Sequence, residues 1–422
     1  MKHELKLLLK QRSMVALLLF SIALTALSLL NGWQNMQHIR AQISHAQQEE
    51  ARRKQDFVHL HQHEGSLDAG EVGYYVFHNV YHPPAEWSFI ALGNRLVTPY
   101  VQRIRLLGLQ GQLYDGESHH PEYVMLGSFD YAFWLVFFSP LLCIALLHDL
   151  KASEHQAQRL LFLQSLVASP AQFWLKRVLT RALLIAATFT LPVLVFAIAH
   201  SLFILPLLQV LATSLLYILF WAALCAGFSL HGRALNASFN ALALASAWLL
   251  CCVVLPNLGQ LWLHRQLPLQ DGSQIALQHR QLVHGAWDLP KANTLDPFYA
   301  LYPQWQHSAP VTGRFHWKWY YAFQHMADVQ LQAQVAAREH ILKQRDQATQ
   351  QLGLLLPSVW VQRSLENVAQ SNVTHLLAHR QRIADFHTQL RHAIYPALFN
   401  EQPLSVEAFE QLPVFGTQAS HE

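Results

Sequence analysis

Five stretches of this chain are apolar for the length a helix needs to cross a bilayer, and no other feature restricts its fold as strongly. They cover residues 14–32, 129–147, 178–199, 207–230 and 237–263. A helix rises about 1.5 Å per residue, so roughly 20 apolar residues cross the ~30 Å hydrocarbon layer. Backbone groups find no water there, which leaves helices as the spanning form. Pro140, Pro192 and Pro256 fall inside the runs and predict kinks rather than breaks. Overall, 52% of residues are apolar and 13% charged, with the apolar ones clustered, so one soluble core is the wrong picture. The expected fold class is a helical membrane protein with five transmembrane helices.

Lys2, Lys6, Lys10 and Arg12 precede the first run as a signal peptide's basic region would. The run is longer than the apolar part of such a peptide and lacks a small-residue cleavage site near Asn31. Orientation follows from the flanks, since Lys and Arg near membrane ends favour the cytoplasm. One side carries Lys6, Lys10, Arg12, Lys151, Arg159, Lys176, Arg177, Arg181 and Arg233, and the other little beyond Arg40 and Arg265. The N-terminus and residues 148–177 and 231–236 are therefore expected in the cytoplasm. Residues 33–128 and 264–422, with the C-terminus, are expected outside.

The first outward region opens with a polar helical stretch, 34–54, that prolongs the first membrane helix. Residues 72–80 and 87–92 are rich in branched and aromatic side chains around His82-Pro83-Pro84, which predicts short strands and a small α/β domain. The second outward region is aperiodic over 264–320 and helical afterwards. Val373, Leu376, Leu377, Ile383, Phe386, Leu390 and Ile394 form one apolar face, suited to pack along a helix over 326–352. A break at 354–357 would make the two an antiparallel hairpin, and residues beyond Leu412 are expected to fray.

Chemistry is sparse. No G-x-x-x-x-G-K-[ST] phosphate loop occurs, so any ATP hydrolysis belongs to a separate subunit. His3-Glu4 and His63-Glu64 lack the second histidine of a zinc protease motif, and there is no G-x-S-x-G elbow, so an enzyme is not expected. Among 26 histidines, His59, His61 and His63 would share one face of a strand, the weak candidates for a metal; solvated polar residues are the favoured explanation. Cys143, Cys225, Cys251 and Cys252 all lie in apolar runs and read as small apolar residues. The apolar runs hold almost no ionisable residues, which counts against a proton-coupled carrier. Neither a directly bound cofactor nor a nucleic-acid partner is expected.

The stretch 148–176 is too long for a turn and is amphipathic, with Leu160, Leu161, Leu163, Leu166 and Val167 set against Glu154, Gln158, Arg159 and Gln164, up to Pro170. Such a segment either lies in the membrane interface or docks a cytoplasmic partner.

His82-Pro83-Pro84-Ala85, Ala91-Leu92-Gly93 and 127–133 begin a longer pattern. It continues through Pro140, Asp149-Leu150, Ser153-Glu154, Ser169-Pro170 with Lys176, Ala247-Trp248, Leu255-Pro256, Leu356-Pro357-Ser358 and Val361-Gln362. In this order they resemble the ABC-2 type transporter permeases, in particular a bacterial subfamily known as a domain of unknown function (DUF3526-like). The resemblance implies a permease subunit of an exporter in the bacterial inner membrane, paired with a second permease, same or sister. It also implies a cytoplasmic ABC ATPase docking on Glu154, Arg159, Leu160, Leu163, Pro170 and Lys176. Two departures stand out: a Gly-Thr-Leu step of the family reads Gln158-Arg159-Leu160 here, and the family's sixth membrane helix has no counterpart up to Glu422. The competing expectation is a membrane anchor or sensor subunit that binds an outward ligand or partner.

Overall fold

The computed structural model describes residues 2–61, 66–96, 98–115, 129–230 and 236–416. Five of its helices are long and apolar enough to cross a membrane. After a short α1 (Lys2–Lys10), the first is α2 (Arg12–His61), 50 residues without interruption. The others are α5 (Tyr131–Leu147), α8 (Pro170–Ala199), α9 (Ile204–Leu230) and the pair α10 (Ala237–Leu249) and α11 (Leu255–Gln266), joined by a π segment Leu250–Val254. The third helix thus starts at Pro170, with Ser169 as its cap, well before the expected 178.

Within this bundle α5 is central, with 67% of its most apolar stretch buried, against 11% for the fifth helix. Polar side chains tie the helices where lipid offers nothing to bond. Trp134 donates to Thr25 Oγ1 at 2.9 Å, Tyr131 and Ser214 share a 2.7 Å bond, and Ser21 meets Thr188 at 3.0 Å. The prolines shape this web. Pro140 has no N–H for the Val136 carbonyl, and Tyr217 Oη of α9 donates to it at 2.8 Å.

Beyond the bundle, the chain forms one lobe with an aromatic core. It is built from α3 (Ala69–Tyr75), α4 (Leu109–Asp115), α12 (Gly272–Ala286), α13 (Ala292–Leu301), α14 (Trp317–Leu355), α16 (Val373–Phe399) and α17 (Val406–Glu410). Among the described residues its sheet is β1 (His78–Tyr81) paired antiparallel with β2 (Val101–Ile104), His78 opposite Ile104. Of the strands expected within 72–80 and 87–92, β1 takes residues 78–80, while residues 72–75 belong to α3 and 88–90 form a 3-10 turn. Asp68 caps α3 through Glu71 N, and Gly73 admits Tyr321 where a Cβ would come within 2.6 Å of its hydroxyl. The aperiodic stretch after 264 contains α12 and α13. Phe415 is packed rather than frayed, with Tyr81 Oη donating to its carbonyl.

The predicted hairpin exists between α14 and α16, but a third helix, α15 (Pro357–Val368), separates them. After the turn at Leu356, α15 runs back against α9, α5 and the π segment. Leu255 N bonds to Leu250 O, five residues back. In that register the Cys251 carbonyl faces residue 256, a proline without an N–H. Ser358 Oγ of α15 donates to it at 2.8 Å. The tip of the α14–α15 turn leaves Leu354 and Leu355 82% and 80% exposed beside the apolar bundle.

Candidate functional site

At the end of the bundle rich in Lys and Arg, α5 finishes with carbonyls that no turn of its own can satisfy. Arg181 of α8 donates to Leu146 O, Ser229 of α9 to Leu147 O at 2.6 Å, and Asn240 of α10 to His148 O at 3.2 Å. Three helices are thereby held to the foot of the central one.

The chain between α5 and α8 is not one amphipathic helix but two short ones, α6 (Ala152–Gln156) and α7 (Leu160–Leu166). They meet at Gln158, whose φ of 56° lies in the left-handed region. Gln158 N bonds to His155 O and Arg159 N to Glu154 O, both at 2.9 Å, the pattern of a helix stop whose left-handed residue is usually Gly. This is the position where the resembled family carries its Gly.

Glu154 is 7% exposed and therefore anchors the segment rather than presenting a surface. Its Oε1 lies 2.9 Å from Arg177 NH1, and its Oε2 lies 3.2 Å from Arg159 Nε. Arg177 Nε reaches Glu4 Oε1 of α1 at 2.9 Å, and Arg181 Nε reaches the same oxygen at 3.3 Å. One network of carboxylates and guanidinium groups thus joins α1, α6 and α8.

Of the other expected docking residues, Leu160 is buried, Leu163 is half-buried, and Arg159, Pro170 and Lys176 are exposed. Lys176 and Pro170 belong to α8, and Pro170 opens it. Leu161 and Leu166, expected only as members of the apolar face, and Phe162, which the sequence reading does not single out, are 80%, 65% and 65% exposed on α7, and Glu4 reads in the sequence only as half of a zinc motif. Arg177 and Arg181 were legible as membrane-flanking charges, and their spacing of four places them on one helix face, but nothing local pointed to Glu4.

A second joint lies at the lobe end. Asp130 caps α5 through Phe133 N at 2.9 Å and accepts Leu92 N at 3.0 Å. Arg95 donates to His82 O, Pro83 O and Gln370 O at 3.1 to 3.2 Å. Ser88 bonds to Ala369 O and Ser371 to Ala91 O, at 2.9 and 2.8 Å. The His82 to Gly93 segment is thereby stitched to the turn between α15 and α16. Gly32 of α2 lets this loop close in, since a Cβ there would stand 2.0 Å from Phe89 O.

His59 is exposed on α2 and His61 ends that helix, so the strand that would have aligned them is absent, and His63 lies outside the described residues. Among the described residues no group of three or more His, Cys, Asp or Glu side chains could hold a metal.

In comparison with known proteins, residues 273–418 match the family described as Domain of unknown function (DUF3526), a stretch running from α12 to beyond α17. No curated protein and no solved structure matches.

Proposed function

We propose that this chain is the membrane-spanning permease subunit of an ABC-2 type, ATP-driven exporter of the bacterial inner membrane. It forms the pathway with a second permease subunit, same or sister, and takes its energy from a separate cytoplasmic ATPase. The observation that carries this reading is the foot of the bundle. There α7 offers Leu161, Phe162 and Leu166 to its surroundings, on a platform fixed to α8 and α1 through Glu154, Arg177 and Glu4. A push on α7 reaches the membrane helix α8, and the short α1 that precedes α2, through short ionic contacts. To do work, the ATPase must bind two arrangements of this platform with different affinity.

The test is recovery of a stoichiometric, Walker-loop ATPase with the tagged protein from mild detergent, and its loss from Leu161→Asp and Phe162→Asp variants that keep the wild-type melting temperature. Retention of the ATPase by both variants sinks the docking assignment. Recovery of a kinase or another effector instead favours the sensor reading, for which the continuity of α2 from the foot into the lobe is the supporting observation.

A further inference from the structure

In the lobe, a cavity of about 630 Å³ opens where the start of α3, the start of α14 and the end of α16 meet. It lies far from the foot of the bundle in the fold and no part of the coupling reading uses it. Its volume falls in the range of small-molecule sites, about 300–1,000 Å³.

Two of its walls are aromatic. Phe315 and Trp317 line the cavity with ring centroids 4.8 Å apart and planes at 80°, so they make a corner rather than a flat platform. Trp317 is seated hard on α3, because a Cβ on Gly70 would stand 2.1 Å from its Cγ. Phe315 is 46% exposed and has given up burial to stand there.

Two carboxylates share the lining. Asp68 commits Oδ1 to Glu71 N at 2.9 Å. Glu401 commits Oε1 to Lys318 at 2.5 Å and to His316 at 3.4 Å. The second oxygen of each has no partner among the described residues. Lys318 itself is fully buried and bonded to Ala309 O as well, so its charge is spent inside the lobe.

Glu401 also occupies an unusual place. Its N–H bonds to Leu398 O at 3.4 Å, Gln402 N bonds to Ala397 O at 2.9 Å, and its φ is 53°. That is the left-handed stop of α16, where Gly is the default and a side chain carries a conformational cost. A carboxylate is kept at the cavity edge against the local backbone preference, and such conflicts gather at functional positions.

We propose that this cavity binds a small organic ammonium ion, quaternary or highly alkylated. Ring faces attract a cation through their negative quadrupole, and most strongly when the cation is poorly hydrated. The free carboxylate oxygens supply counter-charge without requiring N–H donors from the ligand. An anion would meet two carboxylates, and a neutral ring compound would gain nothing from Asp68 or Glu401.

Calorimetric titration of the full-length protein in nanodiscs tests this, with choline and tetramethylammonium as probes and the uncharged carbon isostere of choline as control. Saturable binding of the two cations is expected, with the isostere at least tenfold weaker. Phe315→Ala and Asp68→Asn should each weaken cation binding by about tenfold. Asn retains the cap on α3 and Phe315 is exposed, so ligand-free melting should not move. If either variant does melt earlier, Glu401→Gln, which keeps a hydrogen-bond acceptor for Lys318, replaces it with the same expected loss. Absence of saturable cation binding, equal binding of the isostere, or wild-type affinity in the variants overturns the proposal.

Discussion

The bundle and the lobe sort the same side-chain types in opposite ways. In the bundle, Leu191, Val195, Ile198 and Phe203 face outward, while Ser21, Thr25, Ser214 and Tyr131 are inside and bonded to one another. In the lobe, Phe298 stacks on Trp305 and Phe399 in a closed aromatic core. Its buried polar groups include six histidines among the described residues, His78, His82, His279, His325, His379 and His387. The difference follows from the solvent each expects. Lipid rewards apolar exteriors and leaves polar groups to find each other, whereas water drives apolar surface inward.

Acid should separate the two most. Burial, aided by nearby positive charge, pushes the pKa of His78, His325, His379 and His387 down to about 3 and that of His82 to about 2. A folded-state pKa below the unfolded value of 6.5 means that stability is complete above pH 6.5 and drains away as pH falls toward 3. At pH 5 each histidine costs on the order of 2 kcal/mol. The lobe should therefore lose its tryptophan emission signature between pH 6 and 4 while the bundle keeps its helical circular dichroism. Coincident loss of both signals would break the distinction drawn between the two regions.

A smaller contrast concerns single charges. In the lobe, burial alone would raise the pKa of Asp328, but the His279 hydrogen bond and the Arg391 charge outweigh it and hold the carboxyl well below the usual range. Asp328 also accepts Leu109 N and Gln110 N at 2.8 and 2.9 Å. Asp328→Ala leaves Arg391 buried without its carboxylate and should cost about 3–5 kcal/mol in urea unfolding followed by lobe fluorescence. Glu154→Ala at the foot should cost only about 1–2 kcal/mol, because Arg177 keeps Glu4. Equal costs would show that both networks are equally closed to water.

The smallest effect is a gain. Gln158→Gly places the preferred residue at a left-handed helix stop and should stabilise the foot by about 1 kcal/mol, read as a higher melting temperature in detergent. An unchanged or lower value would mean that the Gln158 side chain contributes more than its backbone strain costs.

What could be read from sequence follows the range of each signal. Five apolar runs and the polar extension of the first announce themselves within a single window, and five helices long and apolar enough to cross a membrane are present, the third beginning earlier than expected at Pro170. Helix α15 did not, because twelve residues containing Gln362, Arg363 and Glu366 are too short and too polar to read as membrane-associated. Its position follows from Val361 and Leu365, buried in the core of the bundle, and from the Ser358 hydrogen bond to a carbonyl stranded by Pro256, contacts that no local pattern announces. The strands expected near Val72 gave way to Asp68 capping and to glycines that admit Trp317 and Tyr321. At the foot, Arg177 was visible as a charge but its partner Glu4 lies 173 positions away, a separation no local pattern bridges.

Helix α2 carries an implication of scale. Fifty residues at about 1.5 Å each make a rod of roughly 75 Å, with its base near α1 and its upper turns bound to the lobe, where Glu50 accepts Asn79 N at 2.9 Å. A tilt of about 5° at the base would swing the far end by about 6 Å, more than one helical turn's rise. Small angular changes at the foot of the bundle thus arrive in the lobe as displacements wide enough to open or shut a gap between side chains.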